Sequence, residues 1–206
     1  MTAHGVSPNH TGRDLRSDLA FIAHWIAPQS RVLDLGCGDG TLLGHLREVK
    51  GCCGYGVEID NDKVVACVKN GVNVLQQDLE EGLALFGDDA FDTVVQIETL
   101  QMMRNVEGIL REIVRVGREA IISFPNFGYW QHRVSLVMGR MPVSESLPYE
   151  WYDTPNVRCA TIQDFEVLAG KVGLEILDRV ALHHGQPVNF LPNLFGSLAV
   201  FRCRKA

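Results

Sequence analysis

Apolar residues recur along this chain with two spacings, and the two alternate. Residues 31–35, 55–60, 72–78, 92–97 and 120–124 are short runs built on Val, Ile and Leu, as expected of strands buried in a parallel sheet. Between them lie segments whose apolar positions fall three and four apart. Leu15, Leu19, Ile22, Ala23 and Ile26 form one stripe over residues 14–26. Ile109, Leu110, Ile113 and Val114 form another over residues 106–116, with Gly117 as the expected stop. A further helix opens at Thr41. Thr161 to Asp164 reads as an N-terminal capping box, with Asp where Glu is usual, for a helix reaching about Val172. Residues 174–182 and 197–204 are the closing strands. This alternation predicts a single-domain, doubly wound α/β fold with a mostly parallel sheet and a ligand site at the carboxyl ends of the strands.

The junction between the first strand and its helix carries the densest chemistry. Arg31-Val-Leu-Asp-Leu-Gly-Cys-Gly-Asp-Gly40 places glycines at alternate positions, where backbone can approach a ligand without a Cβ in the way. Free N–H groups of the next helical turn can then receive an anionic group. A dinucleotide site needs Gly-x-Gly-x-x-Gly, and here the third glycine comes one residue early. A phosphate loop needs Gly-Lys-Ser/Thr, which is absent. The pattern Leu-Asp-Leu-Gly-Cys-Gly-x-Gly resembles the first motif of class I S-adenosylmethionine-dependent methyltransferases. That Rossmann-like resemblance implies that Asp34 faces the methionine end of the ligand, with Gly36, Cys37, Gly38 and Gly40 beneath its ribose and carboxylate. Taken alone, such a loop is a weak signal, with a structural turn as the plainer alternative.

Two more strands end in acids. Glu58 lies 18 positions after Gly40, near the spacing of about 20 at which such folds place a ribose-binding carboxylate. A carboxylate can accept from two vicinal hydroxyls, and Ile59 follows it in the same cradle. Asp60 is more simply the N-cap of a helix opening at Asn61. In the methyltransferase pattern the acid ending the third strand meets the adenine amino group. Asp78 is that acid here, and Leu79 supplies a backbone or apolar contact. Each acid alone reads as well as a helix cap or a solvated charge. Three in register with the glycine loop point to S-adenosylmethionine, or S-adenosylhomocysteine, as the cofactor.

Composition narrows the class. A 206-residue chain with 46% hydrophobic and 21% charged residues reads as one globular domain, residues 13–206, after a disordered tail over residues 1–12. A net charge of −6 argues against a nucleic-acid surface. No stretch approaches the ~20 apolar residues of a membrane span, and the polar start lacks the apolar core of a signal peptide. The six cysteines include no Cys-x-x-Cys pair. Cys37, Cys52, Cys53 and Cys67 fall in or beside core elements and read as reduced, packed thiols of a cytoplasmic protein.

An aromatic-rich insertion at about residues 125–156 departs from a plain methyltransferase. It follows the fifth strand, over the mouth of the ligand site, and predicts either an acceptor pocket or a docking surface. Phe127, Tyr129, Trp130, Tyr149, Trp151, Tyr152 and Asp153 are its candidate residues. A rigid cap packed on the sheet is the plainer alternative. The set Val32-Leu-Asp-Leu-Gly-Cys-Gly-Asp-Gly40, Gly56-Val-Glu-Ile59, Thr99-Leu-Gln101, Ile122-Ser-Phe-Pro-Asn-Phe-Gly128, Gly139-Arg-Met-Pro142, Leu147-Pro-Tyr149 and Trp151-Tyr-Asp-Thr-Pro-Asn156 resembles the bacterial MetW family of methionine biosynthesis proteins. The resemblance runs from Arg13 to the final strand, and Val95-Gln-Ile-Glu98 and Val157-Arg-Cys-Ala160 depart from the family pattern. It implies a place in methionine synthesis beside homoserine O-acyltransferase, a partner the family binds and supports. Two functions stay open. One is a non-catalytic or regulatory subunit docked through the insertion, with S-adenosylmethionine reporting pathway state. The other is a working methyltransferase for a small molecule.

Methyl transfer asks little of a protein, because the sulfonium is already a good leaving group and positioning supplies much of the rate. A base is needed only if the acceptor carries a proton at the moment of attack. Tyr129, His132, Tyr149 and Asp153 fall near the expected mouth, but none belongs to a recognisable catalytic pair, so no catalytic residue is assigned. His132 reads as a surface or packing residue and His183-His184 as solvated at a strand end. No ligand spacing supports a metal.

Overall fold

The computed structural model describes residues 15–206. The tail expected over residues 1–12, and the helix start expected at Asp14, lie outside the described residues. In chain order the elements are α1 (Ser17–Trp25), β1 (Arg31–Leu35), α2 (Thr41–Lys50), β2 (Cys53–Glu58), α3 (Asn61–Lys69), β3 (Val74–Gln76), β4 (Phe91–Ile97), α4 (Val106–Val116), β5 (Gly117–Pro125), α5 (Trp130–Val137), α6 (Ile162–Val172), β6 (Leu174–His183), β7 (Gln186–Pro187), α7 (Pro192–Phe195) and β8 (Leu198–Lys205). Single 3-10 turns, Leu79–Glu81 and Leu100–Met102, follow β3 and β4.

Local signals set several of these boundaries. Asp60 caps α3 by accepting from the N–H groups of Asp62 and Lys63 at 2.9 and 3.1 Å. Thr161 and Asp164 exchange side chain and backbone bonds in a capping box that opens α6. Gly117 is a different stop from the expected one. Its φ is −122°, so the chain runs from α4 straight into β5 without a left-handed residue. What excludes a side chain there is Val94, whose Cγ2 lies 2.4 Å from where a Cβ would stand.

The strands form one eight-stranded sheet in the order β3-β2-β1-β4-β5-β8-β6-β7. Strands β1 to β5 are mutually parallel, and β8 runs antiparallel between β5 and β6. Two hydrophobic layers cover the sheet. On one face Phe124 of β5, Phe165 of α6 and Phe201 of β8 pack with ring centroids 4.4 to 5.9 Å apart. On the other, Ile22 of α1 and Leu46 of α2 meet Val32 and Val200. Strand β1 sends Val32 to the second layer and Leu33 and Leu35 to the first, which is why it reads as an unbroken apolar run. The chain goes from β1 to β2 and β3 on one side, then crosses to β4 on the other. That reversal opens a crevice over the carboxyl end of β1. Among the described residues no helix is long and apolar enough to cross a membrane.

Candidate functional site

The crevice is a cavity of 1110 Å³ at the carboxyl ends of β1 to β4, ample for a nucleoside-bearing ligand. Asp34, Gly36, Cys37, Gly38, Glu58, Ile59, Asp78 and Leu79 line it. Gly40, expected with them, does not; it precedes α2 as a left-handed cap and packs on Val72. Gly36 has φ 77°, and a Cβ there would stand 2.4 Å from Thr99 Oγ1. At Gly38, φ 59°, a Cβ would meet only open space. One glycine lets the loop pass the end of β4, and the other leaves room for a ligand.

The acids of the cradle differ in how they are engaged. Asp34 is 4% exposed, and none of the described residues donates a hydrogen bond to its carboxylate. Burial first, then the neighbouring Glu58 carboxylate, pushes its pKa up to about 7. A buried acceptor without a donor is unfavourable until a cation or N–H arrives. Glu58 is spent largely on the loop. Its Oε2 accepts from Gly38 N–H at 2.9 Å, and its Oε1 accepts from Ile59 and Asp60 N–H at 2.9 and 3.0 Å. Three of about four lone-pair sites are thereby used, which leaves room for one ribose hydroxyl where the sequence suggests two. Asp78 accepts from Glu80 N–H at 2.9 Å and also lines the cavity, so the cap and cradle readings hold together. Asp39 takes the Thr41 N–H at 3.0 Å and the Thr41 hydroxyl at 2.6 Å. The first N–H of α2, expected to be free for an anion, is therefore occupied.

Sequence reasoning missed Glu98. It follows β4 with φ 47°, a left-handed conformation that costs a non-glycine residue free energy. Its N–H donates to Ser123 O and Oγ at 3.0 and 3.2 Å, and its carboxylate pairs with Arg16 at 2.9 Å. In sheet order Asp78, Glu58, Asp34 and Glu98 stand at or near the ends of four neighbouring strands, a row of about 15 Å. The rule that singles out acids at the ends of the first three strands, applied to the fourth, finds it. Met102 and Met103 add an apolar wall from the turn after β4. The set suits a ligand with an ammonium group, hydroxyls and a flat apolar base.

The insertion candidates divide. Tyr129 is 4% exposed, with its ring centroid 5.5 Å from His132 and 5.3 Å from His183. Phe127 is half-buried, 5.7 Å from His132. Trp130, Tyr149, Trp151, Tyr152 and Asp153 face outward. They do not form one surface with Tyr129. On α5 the exposed Trp130, Val134 and Val137 fall at i, i+4 and i+7, one face of the helix. His132 is a packing residue, fully buried, with Nε2 2.8 Å from Ser144 Oγ. Burial holds its pKa below the usual histidine range. His183 corrects the solvated reading: it is half-buried, with Nδ1 3.2 Å from Ser197 Oγ. Burial, then His184, lowers its pKa. His184 is exposed, 3.3 Å from Glu145. Cys53 is also exposed, whereas Cys37, Cys52 and Cys67 are packed.

The family model described as methionine biosynthesis protein MetW matches residues 16–203. The bifunctional methionine biosynthesis protein MetXA/MetW of Rhodopirellula baltica is 40% identical over 176 residues, covering 81% of this chain and 28% of that protein. The chain thus spans under a third of the length of that relative. A SAM-dependent methyltransferase from Thermotoga maritima superposes with a TM-score of 0.67 at 20% identity, covering 92% of this chain and 88% of the other. The [4+2]-cyclase SpnF superposes with a TM-score of 0.66 at 17% identity, covering 91% and 80%. Likeness at these identities speaks for the fold and not for the reaction.

Proposed function

This chain belongs to the MetW family of methionine biosynthesis proteins, and from that premise we propose that it is an S-adenosylmethionine-binding subunit that associates with and activates homoserine O-acyltransferase. One observation carries the reading. The name of the Rhodopirellula baltica relative joins MetW to MetXA, the acyltransferase component, in one polypeptide. Fusion holds two modules at an effective concentration that makes even a weak contact persist. Separate chains need a surface of their own, and the exposed Trp130, Trp151 and Tyr152 with the α5 stripe supply apolar area of the right kind.

In this reading Asp34 holds the ammonium of S-adenosylmethionine, Glu58 a ribose hydroxyl and Asp78 the adenine amino group. Gly36, Cys37 and Gly38 supply the floor, Ile59, Leu79 and Met103 the apolar walls. The bound cofactor supplies an activated methyl group. To regulate the partner it must also bind the docked and free forms with different affinity. All six cysteines are free, which suits the reducing cytoplasm.

The test is to co-express the chain with the acyltransferase of the same organism, purify through a tag on one partner, and assay acyl transfer with and without S-adenosylmethionine. Co-purification with raised activity is the expected result. No association and no effect would overturn it and leave the second reading, an independent methyltransferase for a small molecule. One observation favours that reading too: another cavity opens beside the cradle.

A further inference from the structure

The second cavity measures 530 Å³ and shares Arg16 and Glu98 with the first. Segments far apart in the chain meet around it. Tyr129 comes from the turn before α5, Ser144 from the insertion, His183 from the end of β6 and Ser197 from the bend just before β8. None of these four belongs to the cradle.

Three features mark it as built for a ligand. Tyr129 is 4% exposed and wedged beside two histidine rings, yet its hydroxyl makes no hydrogen bond with any of the described residues. The ring is buried but its oxygen is not sealed off, and the residue lines the cavity, where a ligand can reach the hydroxyl. His183 engages Ser197 through Nδ1 and leaves Nε2 without a partner among the described residues. When Nδ1 carries the proton, Nε2 is an acceptor. The third feature is charge. Arg16 meets Asp18 at 2.7 Å and Glu98 at 2.9 Å, so one guanidinium answers two carboxylates and the wall keeps a net negative charge. Glu98 is held in its left-handed backbone where the two cavities meet.

We propose that this second cavity binds a small protonated amine, its ammonium between the Glu98 carboxylate and Tyr129, beside the cradle. The carboxylate answers the charge, and the Tyr129 ring offers a π-face to a cation. The Tyr129 oxygen and His183 Nε2 accept N–H groups. An anion is disfavoured, because among the described residues the Arg16 guanidinium is already shared by two acids and His184 lies against the Glu145 carboxylate. The inference concerns the chain alone and stands whether or not the acyltransferase docks.

The experiment titrates the purified full chain, with S-adenosylhomocysteine present, by ligand-observed NMR. Probes are ethylamine, ethanolamine and putrescine, with propionate and propanol as controls. The expected result is binding of amines at millimolar concentration or below, with neither control bound. Glu98→Gln should weaken amine binding about tenfold, since it removes the charge from the hydrogen bond. Tyr129→Phe should weaken it about threefold while affinity for S-adenosylhomocysteine and the thermal unfolding curve stay as in the parent. Trp151→Ala should leave amine binding unchanged. Binding of no amine overturns the proposal, as does propionate binding as well as the amines. Equal binding by the parent and both cavity variants overturns it as well.

Discussion

The cradle between β1 and β3 and the insertion after β5 are built in opposite ways. In the cradle the polar groups are drawn inward and tied to backbone: Glu58 alone accepts three N–H groups. In the insertion, one short helix stands among irregular segments, and Trp130, Val137, Trp151 and Tyr152 are left facing water. A cradle of the first kind recognises a small ligand by fixed shape and charge. A surface of the second kind contributes little to folding and leaves its apolar area open to water. Equally drastic substitutions should therefore show up in different measurements in the two regions.

The largest effect is expected at Gly36. A side chain there meets both the left-handed backbone and Thr99, so Gly36→Val should cost about 4 kcal/mol in urea unfolding and abolish cofactor binding. A variant as stable as the parent would break the claim that sterics set the loop.

Asp34 comes next, through pH. Its pKa is higher in the folded chain than in the unfolded one, so the folded state binds the proton more tightly. The stability this group contributes is full below about pH 4 and is lost as pH rises through about 7, on the order of 4 kcal/mol. Asp34→Asn should flatten that slope in the ligand-free chain. In the parent, affinity for S-adenosylmethionine should rise several-fold from about pH 6 to about pH 8, because only the ionised carboxylate pairs with an ammonium. A flat affinity profile would place the ammonium elsewhere.

Thr161→Ala tests the far border of the insertion. Loss of the capping box should cost about 1 kcal/mol and speed hydrogen exchange at the start of α6, with cofactor affinity untouched. The smallest stability change belongs to Trp151→Ala and Tyr152→Ala, within about 0.5 kcal/mol, although acyltransferase association should fall. A large loss of stability would show that these rings pack on their own chain, and the contrast between the two regions would collapse.

The sequence made the sheet and the cradle legible for a physical reason. Strands buried on both faces must be apolar almost throughout, so β1, β4 and β5 announce themselves, and caps such as Asp60 and Thr161 are local chemistry. Most cradle residues follow from the same strand ends. Other features depend on neighbours that no short window contains. Tyr129 and Trp130 are adjacent aromatics, yet one is buried beside His183 and the other is exposed. Only the docking of β6 against the insertion decides which. The partner of His183 is Ser197, positioned by the register of β6 on β8. Gly40 belongs to the motif but serves the packing of α2 on Val72.

The placement of β8 bears on how the molecule is made. Strands β5 and β6 are successive strands in the chain but never touch in the sheet. Residues 198–205 slide between them and pair with both, as in Ser123 with Val200 and Val180 with Val200. During synthesis, β5 and β6 present unpaired edges to one another and to other nascent chains until residues 198–205 arrive. Completion of the sheet must wait for its latest strand to arrive.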